Sequence, residues 1–236
     1  MLRSGSSMGP ACQRGLSIVE LMVGIAIGLI IVAAASLLMS GQLHENRRLL
    51  AETQLQQDLR AASDIITREL RRVGADVEAQ SLQSLWFPGR TTAVQENVFA
   101  EPLTPLAGAP PSTEVLFTYN PGPAANANFG FKLEGGAIKT RLLSAGWQEL
   151  TDPRVMTVTS FTITRDADTQ IQLPCAKRCP VTNDAACWPK LSLRNLSVAI
   201  TASAAAVPGI DRSIRTRVRL RNDFLRFSAP GLVCPI

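Results

Sequence analysis

A single histidine, His44, stands in 236 residues, and only 5% of them are aromatic. One imidazole excludes most metal-ligand sets and most general-base arrangements from the outset. No Gly-rich phosphate loop, nucleophile elbow or Cys/His pair occurs either, and Ser, Asp and Glu are scattered without a motif. The chain is therefore expected not to be an enzyme, and to need no cofactor and no metal. A basic arm is missing too: 24 Lys+Arg against 19 Asp+Glu leave a net charge of +5, spread along the chain without interleaved aromatics. Nucleic acid is accordingly not an expected partner. Proline is absent between Pro10 and Pro88, and between Leu16 and Val73 the only glycines are Gly24, Gly28 and Gly41. Almost nothing in that stretch breaks a helix. The 46% hydrophobic content excludes a mainly disordered chain, and the length allows one fair-sized domain or two small ones.

What is present begins with Leu16–Met39, LSIVELMVGIAIGLIIVAAASLLM, whose only charge is Glu20. The nineteen uncharged residues from Leu21 to Met39 are enough to cross a bilayer core at ~1.5 Å per residue. A cleavable secretory signal would place a short apolar core before small residues and a polar mature chain. Here the polar leader comes first, ending at Arg14-Gly15, and the apolar run follows, so the helix is expected to stay with the mature protein. Arg3 and Arg14 precede the run and Arg47 and Arg48 follow it, so the charge count does not orient it. A carboxylate inside an apolar helix costs a few kcal/mol, about 2.5–3.5 at the centre of a membrane and less near an end. Glu20 therefore needs a partner or a place at the interface.

The segment Arg14-Gly15-Leu16-Ser17-Ile18-Val19-Glu20-Leu21 resembles the class III signal of type IV pilins and pseudopilins, in which a short basic leader and a Gly precede an apolar helix opened by a Glu. The resemblance implies cleavage by a prepilin peptidase between Gly15 and Leu16, and N-methylation of the new Leu16 amine. It also implies pairing of Glu20 with the terminal amine of a neighbouring subunit, which would supply the missing partner in lipid. Leu16 stands where the family usually has Phe. By the same resemblance the leader is cytoplasmic, the chain is a single-pass protein of the inner membrane with a periplasmic C-terminal domain, and its later location is the pilus, at the tip. Gly24 and Gly28 have the small-xxx-small spacing that lets membrane helices approach closely, although Gly pairs are also frequent in apolar helices generally.

Leu55, Leu59, Ala62, Ile66, Leu70 and Val73 follow one another at spacings of four, three, four, four and three, one face of a helix. The spacing predicts a single helix over Ser17–Val73, roughly 85 Å long, with Gly74 as its C-cap. A domain of this size cannot cover such a helix along its whole length, so its first half must meet lipid or other subunits. Glu69, Arg71 and Arg72 read most simply as a solvated helix face, with a subunit contact as the other reading.

After Gly74 the texture changes to Pro, Gly, Thr and Val. Strands are predicted at Val115–Tyr119, Phe129–Leu133 and Ala137–Leu143, the last two joined by Gly135-Gly136. Further strands are predicted at Val155–Arg165, Thr169–Leu173, Leu191–Ala202 and Ser213–Arg221, with loops at Ala107–Ser112 and Asn120–Asn128. Asp166-Ala167-Asp168 is expected to be a plain hairpin turn, since the Gly and distal Glu of a calcium loop are lacking. The expected fold is α+β, a long N-terminal helix packed on an antiparallel sheet. Its parts are a leader at 1–15, a membrane and assembly helix at 16–40, an amphipathic continuation at 41–74 and a β-rich domain at 75–236.

The last strand places Ser213, Arg215, Arg217, Arg219 and Arg221 on one face and Ile214, Thr216, Val218 and Leu220 on the other. Like charges along one strand face repel, so acids must lie nearby: on adjacent strands of this chain, or on a neighbouring subunit. Of the five cysteines, Cys12 belongs to the leader. Its removal leaves Cys175, Cys179, Cys187 and Cys234, an even number in a domain facing an oxidising compartment. Their spacings do not match a zinc ribbon, so disulfides are favoured. Three pairings exist, and Cys179–Cys187 with Cys175–Cys234 is preferred.

Within the family, GLSIVELMVGIAIG at Gly15–Gly28, the helix end Leu70–Ala75 and the closing strand Arg217–Asn222 are most similar to PilW-type minor pilins. The resemblance implies a role in initiating or priming type IV pilus assembly, with other minor pilins, the major pilin, the prepilin peptidase and the inner-membrane assembly platform as partners. A GspJ-like minor pseudopilin of type II secretion is the alternative of the same architecture. A membrane enzyme or adhesin with an accidental motif is the alternative of another class.

Overall fold

A 53-residue helix, α1 (Ile18–Leu70), opens the structure, a computed structural model that describes residues 15, 17–75, 103–121, 128–143, 145–174 and 188–226. Two compact units divide the chain, Met1–Leu49 and Leu50–Ile236, and α1 begins in the first and ends in the second. In the first unit every described residue is exposed. From Leu50 onward the same helix is amphipathic: Leu55, Leu59, Ala62, Ile66 and Leu70 are at most 4% exposed, as the spacing predicts. Val73 follows them into the core from the turn beyond the helix.

The helix ends earlier than predicted. Arg72 N–H donates to the Glu69 carbonyl at 2.9 Å and Val73 N–H to the Leu70 carbonyl at 3.2 Å, so the last turn tightens. Gly74 then adopts a φ of 71°, a left-handed conformation that glycine enters without steric cost. Its N–H donates to the Thr118 carbonyl at 3.0 Å, tying the helix end to the sheet.

Ten strands follow among the described residues: β1 (Glu114–Thr118), β2 (Asn128–Glu134), β3 (Ala137–Arg141), β4 (Trp147–Glu149), β5 (Met156–Arg165), β6 (Thr169–Gln172), β7 (Lys190–Leu193), β8 (Asn195–Ala204), β9 (Asp211–Arg219) and β10 (Phe224–Arg226). Strands β1 to β4 form an antiparallel meander in sequence order, with the predicted Gly135-Gly136 turn between β2 and β3. Gly130 in β2 is required by its neighbours, because a Cβ there would lie 2.7 Å from the Val115 carbonyl oxygen.

The other six strands form two three-stranded sheets, β5-β8-β9 and β6-β7-β10. Their registers show a common plan. β5 pairs with β8 up to Arg165↔Leu196, and β6 resumes on β7 from Thr169↔Leu193. β9 pairs with β8, and β10 with β7. The two sheets are the arms of one ribbon that bends where residues 166–168, Arg194 and residues 220–223 lie. This corrects two expectations. The predicted strand Leu191–Ala202 is two strands in two sheets, and Asp166-Ala167-Asp168 is a corner between sheets rather than a hairpin turn. The alternation of side chains continues through the bend, with Ser192, Arg194 and Leu196 all buried, so the sequence pattern carries no mark of it.

Each bend holds a buried arginine. Arg165 is 3% exposed and grips Asp168 through Nε at 3.2 Å and Nη2 at 2.8 Å. Arg194 is fully buried, donates from Nη2 to the Asn222 carbonyl at 2.6 Å and lies 5.9 Å from the centre of the Phe224 ring. The core between helix and sheets includes Phe117, Phe131, Ile138, Phe161, Ile163, Leu196 and Val218. Each such side chain, fully buried, contributes on the order of 1.5–3 kcal/mol.

Candidate assembly surfaces

The first surface is the start of α1. Leu21 N–H donates to the Ser17 carbonyl at 3.1 Å, which makes Ser17 the N-cap residue and Glu20 the third residue of the helix. A carboxylate in that turn faces the positive end of the helix dipole and the amides that lack intrahelical acceptors. Glu20 is exposed within an otherwise apolar run, and Gly15 precedes the helix, also exposed. Ile18, Met22, Ile25, Leu29, Ile30 and Leu37 are 56–79% exposed, so the apolar character goes all round the helix with no partner among the described residues of its own unit. By length and composition this stretch is able to cross a membrane. Gly24 and Gly28 lie on one helix face, and an added Cβ at either would meet nothing within 4 Å. Leu16 and the cysteines Cys12, Cys175, Cys179, Cys187 and Cys234 lie outside the described residues.

The second surface is the outer face of β5-β8-β9. Arg215, Arg217 and Arg219 are exposed along β9, and Arg221 just beyond it, with the alternation the sequence predicts. The acids are not on the adjacent strand. Across from Arg215, Arg217 and Arg219 stand Ala199, Ser197 and Asn195, and β8 carries no charge at all. Carboxylates come from the bends instead: Arg217 Nη2 meets Asp166 at 2.6 Å and Arg219 Nη2 meets Asp223 at 3.4 Å. Among the described residues, Arg215 and Arg221 make no ion pair. On the inner face Arg212 pairs with Glu52 of α1, and Thr216 shares a 3.1 Å hydrogen bond with Ser63, so β9 is locked to the helix from beneath.

A third cluster, missed by sequence reasoning, closes the helix onto the sheet. Glu69 is only 8% exposed, which corrects its reading as part of a solvated face. It accepts from Tyr119 Oη at 3.3 Å and from Arg72 Nη1 at 3.3 Å. The Tyr119 ring stacks on Phe129 with centres 3.9 Å apart. Burial is the largest influence on Tyr119 and raises its phenol above the ordinary value. Arg72 is raised by its hydrogen bond to Tyr119 and by the Glu69 charge. Asn222 Nδ2 donates to the Val73 carbonyl at 3.0 Å, satisfying a helix-end acceptor, while its own carbonyl receives Arg194. Spacing held a signal for Glu69, which lies three residues after Ile66 and four before Val73, on the flank of the buried stripe. For Asn222 no local pattern exists, because its partners are 149 and 28 residues away.

A groove of about 310 Å³ between α1 and residues 150–156 is lined by Asp58, Ile65, Leu150, Asp152 and Met156 among others, and holds no nucleophile beside a base. Asp152 is held below the usual carboxylate range by its hydrogen bonds from Arg154.

Residues 48–220 match the family described as prepilin peptidase-dependent protein B, and residues 10–36 match the prokaryotic N-terminal methylation motif. No curated protein and no solved structure matches the chain. The two family matches fall respectively on the domain with its buried half-helix and on the leader with its exposed half-helix. A long apolar N-terminal helix, an antiparallel β domain and a prepilin-type start agree with both, and the chain belongs to the prepilin peptidase-dependent protein B family of type IV pilin-like proteins.

Proposed function

We propose that this chain is a minor pilin of the PilW type, which initiates or primes type IV pilus assembly and catalyses nothing itself. The observation that carries the reading is the start of α1, Ile18 to Met39: apolar on every side, exposed throughout and opened by one carboxylate, within and directly behind the methylation motif. In this reading prepilin peptidase cuts between Gly15 and Leu16 and the Leu16 amine is methylated. Glu20, five residues into the mature chain, then pairs with the amine of a neighbouring subunit, since opposite charges in lipid favour each other over hydrocarbon. Gly24 and Gly28 give the close approach that such packing needs. The PilW assignment is supported by the junction of Val73 and Asn222, which joins the helix-end and closing segments that carry the resemblance. The chain would sit in the inner membrane with its domain in the periplasm, then enter the pilus at its tip with other minor pilins and the major pilin, through the assembly platform.

The test is a count of surface pili by electron microscopy, with twitching motility, in a deletion strain and a complemented one. Loss of pili that return on complementation is expected. Normal pili with failed export of secreted enzymes would instead assign the chain to a type II secretion pseudopilus.

A further inference from the structure

We infer that the free edge of β9 is a docking site for an acidic β-strand of a different protein, added to the β5-β8-β9 sheet by main-chain pairing. The inference deepens the reading of Arg215, Arg217, Arg219 and Arg221 as a subunit contact, and does not depend on whether that subunit belongs to a pilus. Three observations carry it.

First, β9 is an edge. Among the described residues it pairs only with β8, over the nine positions from Asp211 to Arg219, so one side of its backbone has no strand partner. An unpaired edge of that length is a template for strand addition. The helix does not block it, since Arg212 and Thr216 meet α1 from the inner face.

Second, charge on the outer face is confined to that edge. The rows Thr164–Ser197–Arg217 and Thr162–Ala199–Arg215 cross the sheet from hydroxyl or methyl groups to guanidinium, and Ser160–Thr201–Ser213 carries no charge. Alternate residues of a strand are about 6.8 Å apart. A strand with carboxylates at alternate positions would meet the arginines one to one as cross-strand pairs. The side chains of Arg217 and Arg219 are 68% and 63% exposed despite their internal partners, so all four remain reachable.

Third, the row selects its occupant. A second β9 would bring arginines against arginines, so this edge is closed to its own copy. Each described strand of this chain contains at most one carboxylate, so a second copy offers no matching strand among those residues. A continuous polyanion is disfavoured as well. Asp166 and Asp223 interrupt the row and exposed Asp211 opens the strand, and a polyanion has no main-chain amides with which to pair the open edge.

The test uses the full mature chain in detergent micelles and a synthetic ten-residue peptide of alternating Thr and Asp, followed by fluorescence anisotropy and by amide hydrogen exchange of β9. Saturable binding with slowed exchange in residues 213–219 is expected, weakened about tenfold or more by R215A/R221A, a loss of roughly 1.4 kcal/mol or more. A peptide N-methylated at alternate amides should not bind, a control that leaves the protein untouched. Absence of binding, equal binding of the N-methylated peptide, or indifference to R215A/R221A would overturn the inference. Tighter, competing binding of double-stranded DNA would overturn it in favour of a polyanion surface. Pilus loss on deletion together with failed peptide binding would sink this inference alone and leave the proposed function standing.

Discussion

The two halves of α1 share one hydrogen-bonding pattern and differ in everything their side chains do. From Leu50 to Leu70 the helix has an apolar stripe, and the stripe is buried under the domain's own strands. From Ile18 to Met39 the apolar residues go all the way round, and none is buried. The second half is explained by the chain that contains it. The first half is not: among the described residues of its unit nothing covers that apolar surface, and the proposed function assigns its burial to lipid and to other helices. Glycine shows the same division. Gly130 is forced by a carbonyl 2.7 Å from where its Cβ would be, while Gly24 and Gly28 face open space.

The comparison is most sharply broken by paired truncations. Leu59→Ala should lower the domain's unfolding free energy by about 2–5 kcal/mol, a loss expected for a buried leucine. Ile27→Ala, in the same helix and equally apolar, should leave domain unfolding unchanged. Thermal melts of the full chain in detergent would check both, and a destabilised Ile27→Ala would mean that the first half is held by its own chain after all. Next in size, Gly130→Ala should cost about 1–3 kcal/mol by overpacking against backbone. By contrast, Gly24→Ala and Gly28→Ala should leave the melt intact while reducing co-purification of neighbouring subunits.

Much of the fold was legible because its signals are local. The core stripe from Leu55 to Val73, the Gly74 stop, the Gly135-Gly136 turn and the alternation of Ser213–Arg221 all follow from periodicity and turn chemistry within a few residues. The bend of the ribbon at Arg194 was not legible, because alternation survives a change of sheet and the partners that define it, Leu220 and Asn222, come from the later connection between β9 and β10. The three-residue strands Trp147–Glu149 and Phe224–Arg226 are too short for a period. Among the candidate site residues, the isolation of Glu20 in an apolar run and its place in the first turn of α1 are local features of the sequence. Glu69 was legible only in its place beside the buried stripe, and not in its partner, because Tyr119 lies 50 residues away.

Two smaller effects sharpen the point where the buried half ends. Asn222→Ala would remove the side-chain donor to the Val73 carbonyl and should cost about 1–3 kcal/mol, with faster amide exchange through residues 70–75 as the local readout. The smallest effect is a titration. Tyr119 is the only tyrosine in the chain, so ultraviolet absorbance reports it alone. Burial raises its pKa above the ordinary value of a phenol. A raised folded pKa favours the protonated fold, so this contribution is fully present below the unfolded value and disappears as pH climbs through the folded one. A midpoint above 10 is expected, and a Tyr119→Phe protein should lose both the absorbance change and this alkaline sensitivity. A midpoint at the unfolded value would show that the helix end is open to water.

The account rests on the first half of α1 being made for processing and assembly, and the mature N-terminus tests that most directly. Intact-mass and N-terminal analysis of the membrane-extracted protein should find a chain beginning at Leu16, one methyl group heavier than its sequence, with a bulky substitution at Gly15 keeping the leader attached. A mature chain that begins at Met1, or one cleaved normally despite the Gly15 substitution, would contradict it.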